Sequence, residues 1–275
     1  MSRAVERITD AADPRVAAYR NLRDPELVRS RGLFVAEGRF VVRRVIDDPR
    51  YAIRSLLVND AALRDLGPAV DAVDPAVPIY VCATEDFLGI TGIDIHRGCL
   101  ALVAHPGALS VAEALAGVTT AIVLEGVTNP DNVGGVFRNA AAFGAGAVIL
   151  SPTCCDPLYR KAIRTSMAAV LRVPFARATE WPSALTTIRA SGFTVAALTP
   201  REPSQSIDQW LAGQARRAGQ AGRARIALLV GTEGAGLSAD ADAAADVRVR
   251  IAMSDAVDSL NLAVAVGIAL FALRR

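Results

Sequence analysis

Three segments of this sequence place glycines and polar side chains directly after apolar runs. They read LEGVTNPDNVGGVFRNAAAFGAG at 124–146, LLVGTEGAGLS at 228–238 and IAMSDAVDSLNLAVAVGIALF at 251–271. Glycine lets the backbone approach a ligand closely, asparagine both donates and accepts hydrogen bonds, and arginine binds oxyanions through two parallel bonds. These residue types therefore predict a ligand site built by three loops.

Nucleotide binding is the first chemistry that such loops suggest. Gly231, Gly234 and Gly236 follow one apolar run, and Gly134 and Gly135 precede a helical pattern. Neither segment spells the dinucleotide motif GxGxxG or the phosphate-binding motif GxxxxGKS/T. A nicotinamide-dependent oxidoreductase is therefore supported only by a strand–glycine–helix pattern. Tight turns would explain the glycines, but not the Asn, Glu, Ser and Arg residues that the three loops carry.

Taken together, the three segments resemble the ordered motifs of one enzyme family. NVGGVFR at 132–138, GTEGAGL at 231–237, and IAM followed by SLN at 251–261 are similar to the motifs of the SpoU/TrmH branch of the SPOUT RNA methyltransferases. DPLYRKAIRTSMAAVLRVP at 156–174 resembles the family's connecting segment. GLFVAEGRFVVRRVI at 32–46 resembles, less sharply, the family's small substrate-binding domain. The likeness of the motif region runs from Thr119 to the C-terminus.

This resemblance implies a fold class and an activity. The fold is an α/β domain with a parallel sheet and a C-terminal trefoil knot, which is a rare exception to unknotted topology, together with a small N-terminal α/β substrate-binding domain. Family members bind S-adenosylmethionine against the knotted loops, pair as homodimers and methylate a ribose 2′-hydroxyl of RNA. We therefore expect an RNA methyltransferase, with rRNA favoured over tRNA as its substrate.

The resemblance assigns the reaction to Arg138, with four polar side chains around it. A guanidinium stays protonated in proteins and is a poor base, so it suits stabilising an alkoxide or holding a phosphate better than deprotonating the ribose. Asn132 is expected to orient Arg138 or cap a helix. Glu233 is expected to pair with Arg138 or contact RNA hydroxyls. Ser259 and Asn261 match the SLN signature and are expected near the target nucleotide, where Ser259 would also suit a helix N-cap.

The resemblance also assigns the cofactor site. The family lines its S-adenosylmethionine pocket with backbone groups and aliphatic side chains, and the matching positions are Gly231, Thr232, Gly236, Ile251, Met253 and Leu260. Such a neutral site suits a cofactor without phosphate. Two positions depart from the family pattern, because Ala252 replaces a proline and Asp255 replaces a glycine. They motivate the alternative of a non-catalytic RNA-binding or ribosome-assembly factor on the same scaffold.

Basic side chains are expected to bind the RNA phosphates. Arg160, Lys161 and Arg164 form one basic cluster, in which the residues four apart share a helix face. Arg39 and Arg43 belong to a second cluster in the N-terminal domain, which also contains Arg29, Arg31 and Arg44. A solvated helix face is the alternative explanation of these charges.

The elements that must position these residues fall into two domains. We predict an RNA substrate-binding domain at 1–105, a linker at 106–118 and a methyltransferase domain at 119–275. The first domain is predicted to contain helices at 14–22 and 36–47 and strands at 53–58, 78–82 and 99–104. The second alternates strands with helices, which favours a parallel sheet covered on both faces. Its strands are predicted at 120–126, 147–151, 193–199, 226–231 and 247–252, its helices at 130–143 and 158–170, and a surface insert at 205–225.

Composition argues against several other classes. The 275 residues carry a net charge of +2, and their four cysteines and two histidines lack the spacing of metal ligands. The longest apolar run, 260–273, has fourteen residues, fewer than the roughly twenty of a membrane span. We expect a cytoplasmic protein with no metal and no membrane segment. Because that final run is apolar nearly all round, we expect it to lie in a homodimer interface on the order of 2,000 Å² or more.

Overall fold

The structure, a computed structural model, describes residues 5–20, 22–93, 95, 98–218, 224–254, 256–257 and 259–274. The chain divides into two compact units. The first unit contains residues 1–107 and 158–171, and the second contains residues 108–157 and 172–275. Residues 158–171 therefore interrupt the region 119–275, for which the sequence predicted one continuous domain.

The elements follow one another along the described residues in chain order. The strands are β1 (Glu6–Arg7), β2 (Leu33–Glu37), β3 (Ile53–Val58), β4 (Ile79–Val81), β5 (Cys99–Ala104), β6 (Thr120–Leu124), β7 (Ala147–Leu150), β8 (Phe175–Arg177), β9 (Phe193–Leu198), β10 (Gln205–Ser206), β11 (Arg225–Val230) and β12 (Val247–Arg250). The α-helices are α1 (Asp24–Arg31), α2 (Arg39–Ile46), α3 (Asp60–Leu66), α4 (Asp86–Thr91), α5 (Val111–Ala114), α6 (Pro130–Phe143), α7 (Arg160–Thr165), α8 (Ala184–Ala190), α9 (Ile207–Ala218), α10 (Ala239–Ala243) and α11 (Leu262–Leu273). Short 3-10 helices cover Pro14–Tyr19, Gly67–Ala72 and Ala169–Leu171.

The first unit is built on a mixed sheet with the strand order β1-β4-β3-β5-β2. Strands β1, β4 and β3 are parallel, whereas β5 runs antiparallel to both β3 and β2. Val35, Leu57, Leu100 and Phe87 meet in its apolar core. The strands predicted at 53–58 and 99–104 are confirmed with these bounds, and β3 is buried from Ser55 onward whereas β5 is buried along nearly its whole length.

Two helices predicted in the first unit are wrong in extent. The predicted helix 36–47 begins too early, because Glu37 is the last residue of β2 and pairs with Leu100 of β5. Gly38 then turns the chain at a φ of 90°, and α2 starts at Arg39. The helix predicted at 14–22 is a 3-10 helix over Pro14–Tyr19. In the first case a cross-strand ladder overrides the local helical pattern.

Residues 158–171 of the first unit form a broken helical segment. A single helix was predicted over 158–170, but α7 ends at Thr165, and Met167 and Ala168 adopt left-handed backbone angles. The segment packs against β2. Its end is held by the carbonyl of Leu171, which accepts hydrogen bonds from the Tyr51 hydroxyl and the Arg50 guanidinium, both at 2.9 Å. These long-range contacts assign the segment to the first unit.

The second unit contains a sheet with the strand order β10-β12-β9-β11-β6-β7-β8, and every pairing in it is parallel. The predicted parallel sheet is therefore confirmed. Val123, Ile149, Val195 and Leu229 belong to its buried core. The carboxyl ends of β12, β9, β11 and β6 lie side by side at one edge, which is where open parallel sheets bind ligands. The three polar segments all begin at this edge.

Helices α6 and α11 of the second unit pack with a close approach at Gly135. A Cβ atom at this glycine would lie 2.7 Å from the Cβ of Ala263 in α11. Beside it, the Asn139 side-chain amide donates a hydrogen bond to the carbonyl of Ala263 at 2.6 Å. The helix predicted at 130–143 has these bounds in the structure, and the contact brings the last helix against it.

We expect Gly135→Ala to lower the free energy of unfolding of the second unit by about 1–3 kcal/mol, because the added methyl group would overpack the contact with the Cβ of Ala263. The matched control is Gly213→Ala in α9, where an added Cβ meets no atom within 4 Å and alanine should stabilise by up to about 1 kcal/mol. Both tryptophans, Trp181 and Trp210, lie in the second unit, so urea unfolding followed by fluorescence reports on it. Equal stabilisation by both substitutions would contradict the close approach.

Candidate functional site

Three loops of the second unit meet at the side chain of Asn261. Its Nδ2 donates to Oδ1 of Asn132 at 3.0 Å and to Oε1 of Glu233 at 2.9 Å. Asn132 lies in the segment after β6, Glu233 in the loop after β11, and Asn261 in the segment after β12. One amide therefore joins all three motif segments.

The start of α11 fixes the orientation of that amide. Oδ1 of Asn261 accepts hydrogen bonds from the backbone N–H groups of Ala263 and Val264 at 3.0 and 3.3 Å, so Asn261 is the N-cap of the helix. Oε1 of Glu233 also accepts from the N–H of Leu262 at 3.4 Å. A carboxylate is favoured at this position because the N-terminus of a helix carries partial positive charge.

The loop after β11 folds back on itself at Gly231. A Cβ atom there would lie 2.2 Å from the carbonyl carbon of Gly236, so no other residue fits without opening the loop. Thr232 and Gly236 form an antiparallel bridge, in which the N–H of Gly236 donates to the carbonyl of Thr232 at 3.0 Å. The loop is a compact wall of backbone groups.

Glu125 stabilises the carboxyl edge of the sheet, next to the three loops. Its side chain is buried, with Oε1 accepting from the indole of Trp181 and the hydroxyl of Ser238, both at 2.6 Å. Oε2 accepts from the backbone N–H of Ser238 at 2.9 Å. Sequence reasoning assigned Glu125 no role. Its place directly after β6, at the ligand-binding edge, was the available signal.

A cavity of about 560 Å³ opens between these loops, a size typical of sites for small molecules. Most of the residues predicted for the site line it: Gly231, Thr232, Glu233, Gly236, Ile251, Met253, Ser259, Leu260 and Asn261. All six residues predicted to bind the cofactor are thus brought together. Asn132 and Arg138 do not line this cavity.

Arg201 is a further lining residue that the sequence analysis did not identify. It follows β9, and its guanidinium donates to the carbonyls of Ala235 at 2.6 Å and Leu237 at 3.2 Å. These bonds hold the far side of the loop after β11. Arg201 and Glu233 are the charged side chains among the described residues of the lining. The signal missed was that a polar segment follows β9 just as it follows β6, β11 and β12.

Arg138 lies away from the polar junction. It follows Asn132 by six positions, which places it about 9 Å further along α6 and on a different face of the helix. Asn132 is 4% exposed, whereas Arg138 is exposed and its guanidinium makes no hydrogen bond or ion pair with any residue that the structure describes. The contacts that the sequence analysis suggested from Asn132 or Glu233 to Arg138 are absent among these residues, because both side chains bind Asn261 instead.

Two predicted helix caps are also corrected. Asn129 caps α6 by accepting from the N–H of Asp131 at 2.9 Å, so the cap is not Asn132. Asn261 caps α11, so that cap is not Ser259, which lies in the cavity lining. The capping side chains sit one residue before the helix starts, as cap geometry requires.

The residues predicted to bind RNA belong to the first unit, where most of them have intramolecular partners. The Arg160 guanidinium binds Asp24 at 2.7 Å, Arg164 binds Glu37 at 3.1 Å, and Arg39 lies 3.6 Å from Asp65. Arg43 donates to the carbonyl of Leu66 at 2.9 Å. Lys161 is exposed on α7. Their contribution to RNA binding stays a prediction.

The two departures from the family pattern fall in the segment after β12. Ala252 lies between the lining residues Ile251 and Met253, and Asp255 lies outside the described residues.

All four cysteines are free thiols. No group of His, Cys, Asp and Glu suited to a metal ion occurs in the described part of the chain. Over the same residues, none of the helices combines the length and apolar character that crossing a bilayer requires.

A parallel α/β unit with a cavity walled by loops at the carboxyl edge of its sheet defines a domain that binds a small ligand. Residues 119–271 match the family model described as the SpoU rRNA Methylase family. The match covers more than half of the chain and includes all three loops of the cavity. The chain belongs to the SpoU rRNA methylase family.

Similar proteins support this membership over nearly the whole length of the chain. A tRNA/rRNA methyltransferase of Mycobacterium tuberculosis, itself described as uncharacterised, is 39% identical over 271 residues, which are 97% of this chain and 91% of the relative. A 23S rRNA (guanosine(2553)-2′-O)-methyltransferase of Bacillus subtilis is 24% identical over 98% of this chain and 100% of its own. The crystal structure of an rRNA methyltransferase from Sinorhizobium meliloti superposes with a TM-score of 0.79 at 25% identity, covering 98% of this chain and 97% of that chain.

We expect Glu125→Gln to destabilise the second unit by about 1–3 kcal/mol, because an amide nitrogen would replace one acceptor and leave a donor at Ser238 unpaired. The midpoint of thermal unfolding, followed by circular dichroism, should fall by several degrees. Glu180→Gln is the control, since this exposed carboxylate beside Trp181 has no partner among the described residues and should change stability by less than about 0.5 kcal/mol. Equal midpoints for the two variants would argue against an anchoring role.

Proposed function

We propose that this protein is an S-adenosylmethionine-dependent methyltransferase that modifies a ribose 2′-hydroxyl of RNA in the cytoplasm, with rRNA favoured over tRNA. The observation that carries the proposal is the convergence of the three motif loops on one cavity through the amide of Asn261. The 2′-O-methyltransferase activity named for the Bacillus subtilis relative supports the reaction type. The family description supports rRNA as the substrate class.

The residues around the cavity fit the proposed cofactor. Gly231, Thr232 and Gly236 would supply backbone groups, and Ile251, Met253 and Leu260 would supply apolar walls. A phosphate-bearing cofactor would need a cluster of cations or a glycine-rich phosphate motif. The described lining offers one arginine and one glutamate. This balance suits S-adenosylmethionine, which has no phosphate and carries charges of both signs.

Arg138 is the proposed catalytic residue. Bound S-adenosylmethionine would supply an electrophilic methyl group. Its transfer to the ribose 2′ oxygen would break the bond from that methyl group to sulfur, release S-adenosylhomocysteine and pass the hydroxyl proton to solvent. The guanidinium of Arg138 has no carboxylate or carbonyl partner among the described residues, so in the proposed homodimer it is available to complete the cavity of the other subunit. There it would stabilise the negative charge that develops on the ribose 2′ oxygen. Asn132, Glu233 and Asn261 would act by positioning the loops, and Ser259 would face the substrate from the cavity lining.

The non-catalytic alternative rests on Ala252 and Asp255. The structure gives this alternative no support at Ala252, because Ile251 and Met253 on either side of it both line the cavity. Titration calorimetry with S-adenosylmethionine separates the two functions. No binding at millimolar cofactor would favour the RNA-binding or assembly factor.

The final helix supports a homodimer as part of the proposal. Helix α11 buries Val266 and Leu270 within the unit, but Val264, Ile268 and Phe271 remain 50%, 41% and 46% exposed. These three residues are spaced four and three apart, so they lie on one face of the helix. A second copy would cover this apolar face. The C-terminal trefoil knot remains part of the proposal through the family resemblance. The contact of Asn261 with Glu233 in the loop after β11, directly before α11 packs on α6, supports it.

The methyl-transfer experiment uses total RNA from a strain in which the gene is deleted, with tritium-labelled S-adenosylmethionine. The wild-type protein should transfer tritium to RNA, and Arg138→Ala should reduce the rate by about 100-fold or more. Its Kd for S-adenosylmethionine should stay unchanged. Arg172→Ala is the matched control, because Arg172 is another exposed arginine of the second unit with no partner among the described residues. Robust transfer by Arg138→Ala would remove Arg138 from the reaction.

The proposed dimer is tested by placing a charge on the exposed face of α11. The wild-type protein should show the mass of two chains by light scattering at micromolar concentration. Ile268→Glu should yield single chains and lose methyl transfer, because a buried unpaired charge is costly. Leu88→Glu in α4 is the control, since Leu88 is 57% exposed and lies in the first unit. A single-chain mass for a wild-type protein that transfers methyl groups would refute the dimer.

A further inference from the structure

The first unit contains a positively charged cleft that shares Arg31 with one predicted RNA-binding cluster and adds two arginines that the sequence analysis did not identify. The cleft has a volume of about 520 Å³ and is lined by Arg20, Arg23 and Arg31 together with Ala17, Leu22, Glu26 and Leu27. Three guanidinium groups face one carboxylate there, which leaves a formal charge of +2. Phosphate groups are the natural partners of such a surface.

The guanidinium groups of the cleft are only weakly engaged within the chain. Arg23 is exposed, and its guanidinium has no hydrogen bond or ion pair with the residues described here. Arg20 donates to the neutral carbonyl of Asp13 at 2.9 Å, while the carboxylate of Asp13 binds Arg15. Arg31 pairs with Glu26 at 2.9 Å, but both side chains are half exposed, and exposed pairs contribute little. An incoming anion can therefore displace Glu26.

A second cleft in the same unit provides an internal comparison. It has a similar volume of about 580 Å³, but its lining carries Arg54 against the two carboxylates of Asp48 and Asp74. The two clefts thus have opposite formal charge. Positive charge is a particular property of the first cleft, not a general property of the unit.

Helix α1 holds two of the arginines on a rigid element. Arg23 is the N-cap residue, Leu27 is buried in the core and Arg31 ends the helix. Residues four apart share a helix face, so the two arginines flank Leu27 on one side of α1, about 12 Å apart along its axis. The burial of Leu27 fixes that face. Two long arginine side chains that start this far apart on one helix can contact different phosphates of one RNA strand.

We propose that the cleft formed by Arg20, Arg23 and Arg31 is the site at which the first unit binds the phosphate backbone of the RNA substrate. This inference rests on the proposed RNA methyltransferase function. The contacts are to phosphates, so they position the RNA and carry no base specificity. The Arg160 guanidinium, by contrast, is 15% exposed and paired with Asp24, which assigns it to the interior of the unit.

The test is the double variant Arg20→Gln with Arg23→Gln, assayed with the total RNA of the deletion strain. The apparent KM for RNA should rise roughly tenfold or more at about 0.1 M salt, because two phosphate contacts are lost. The dependence of log KM on log salt concentration should become shallower by about 1 for each contact. The Kd for S-adenosylmethionine should not change. Arg54→Gln, which removes the same charge from the acidic cleft, should leave KM for RNA and its salt dependence unchanged.

Two further variants keep the test decisive if the double variant unfolds. Arg23→Gln alone removes a side chain without partners among the described residues, and should produce about half of the change in salt slope. Arg23→Lys keeps the charge and should retain the salt slope of the wild-type protein.

The outcomes separate this inference from the proposed function. If the wild-type protein transfers no methyl group to any RNA, the proposed function fails and the cleft loses its ligand with it. A second outcome is that the wild-type protein methylates RNA while the cleft variants keep its KM and salt slope. In that case the proposed function is retained and the cleft is not an RNA-binding site. An acidic peptide would then be the partner to test. An equal rise in KM for the Arg54→Gln control would also contradict RNA binding by the cleft.

Discussion

The side-chain amide of Asn261 is the contact on which the candidate site depends. Its oxygen must face the start of α11, because the first turn of a helix presents only N–H donors. That orientation directs its nitrogen toward Asn132 and Glu233, each at hydrogen-bond distance. Both N–H groups and both acceptor positions of the amide are thereby used. The same side chain therefore caps the last helix and joins the other two loops. The cavity is complete only when the C-terminal segment is in place.

Contacts among the lining residues, and from Glu125 next to them, hold the walls of the cavity in place. The missing side chain at Gly231 lets the loop after β11 close on Gly236, and Arg201 binds two carbonyls on the far side of that loop. Glu125 fixes the start of α10 through Ser238. A wall held in this way loses little conformational freedom when a ligand enters, which favours binding. The lining has no net formal charge, because Arg201 and Glu233 offset each other and the other described lining residues carry no charged side chain.

The arginines of this chain divide into those with internal partners and those without. Arg160 binds Asp24 across 136 residues of sequence, and Arg201 serves the loop after β11. The guanidinium groups of Arg138 and Arg23 have no partner among the described residues. An ion pair that is already formed must be broken before RNA can use it, whereas an unpaired exposed cation contacts phosphate without that cost. The available charge is therefore a better guide to function than the number of arginines.

Local pattern determined much of this protein. The apolar runs predicted the strands at 53–58, 99–104 and 193–199 closely, and the motif residues predicted to hold a cofactor lie in one cavity. These features are readable because the spacing of apolar residues along an element indicates its type and which of its faces is buried. Tertiary structure alone decided that Glu37 ends a strand, that residues 158–171 pack with the first unit, and which carboxylate each arginine meets. The physical reason is that ion pairs and strand pairings form between residues that are close in space. The sequence does not show which distant residues folding will bring together.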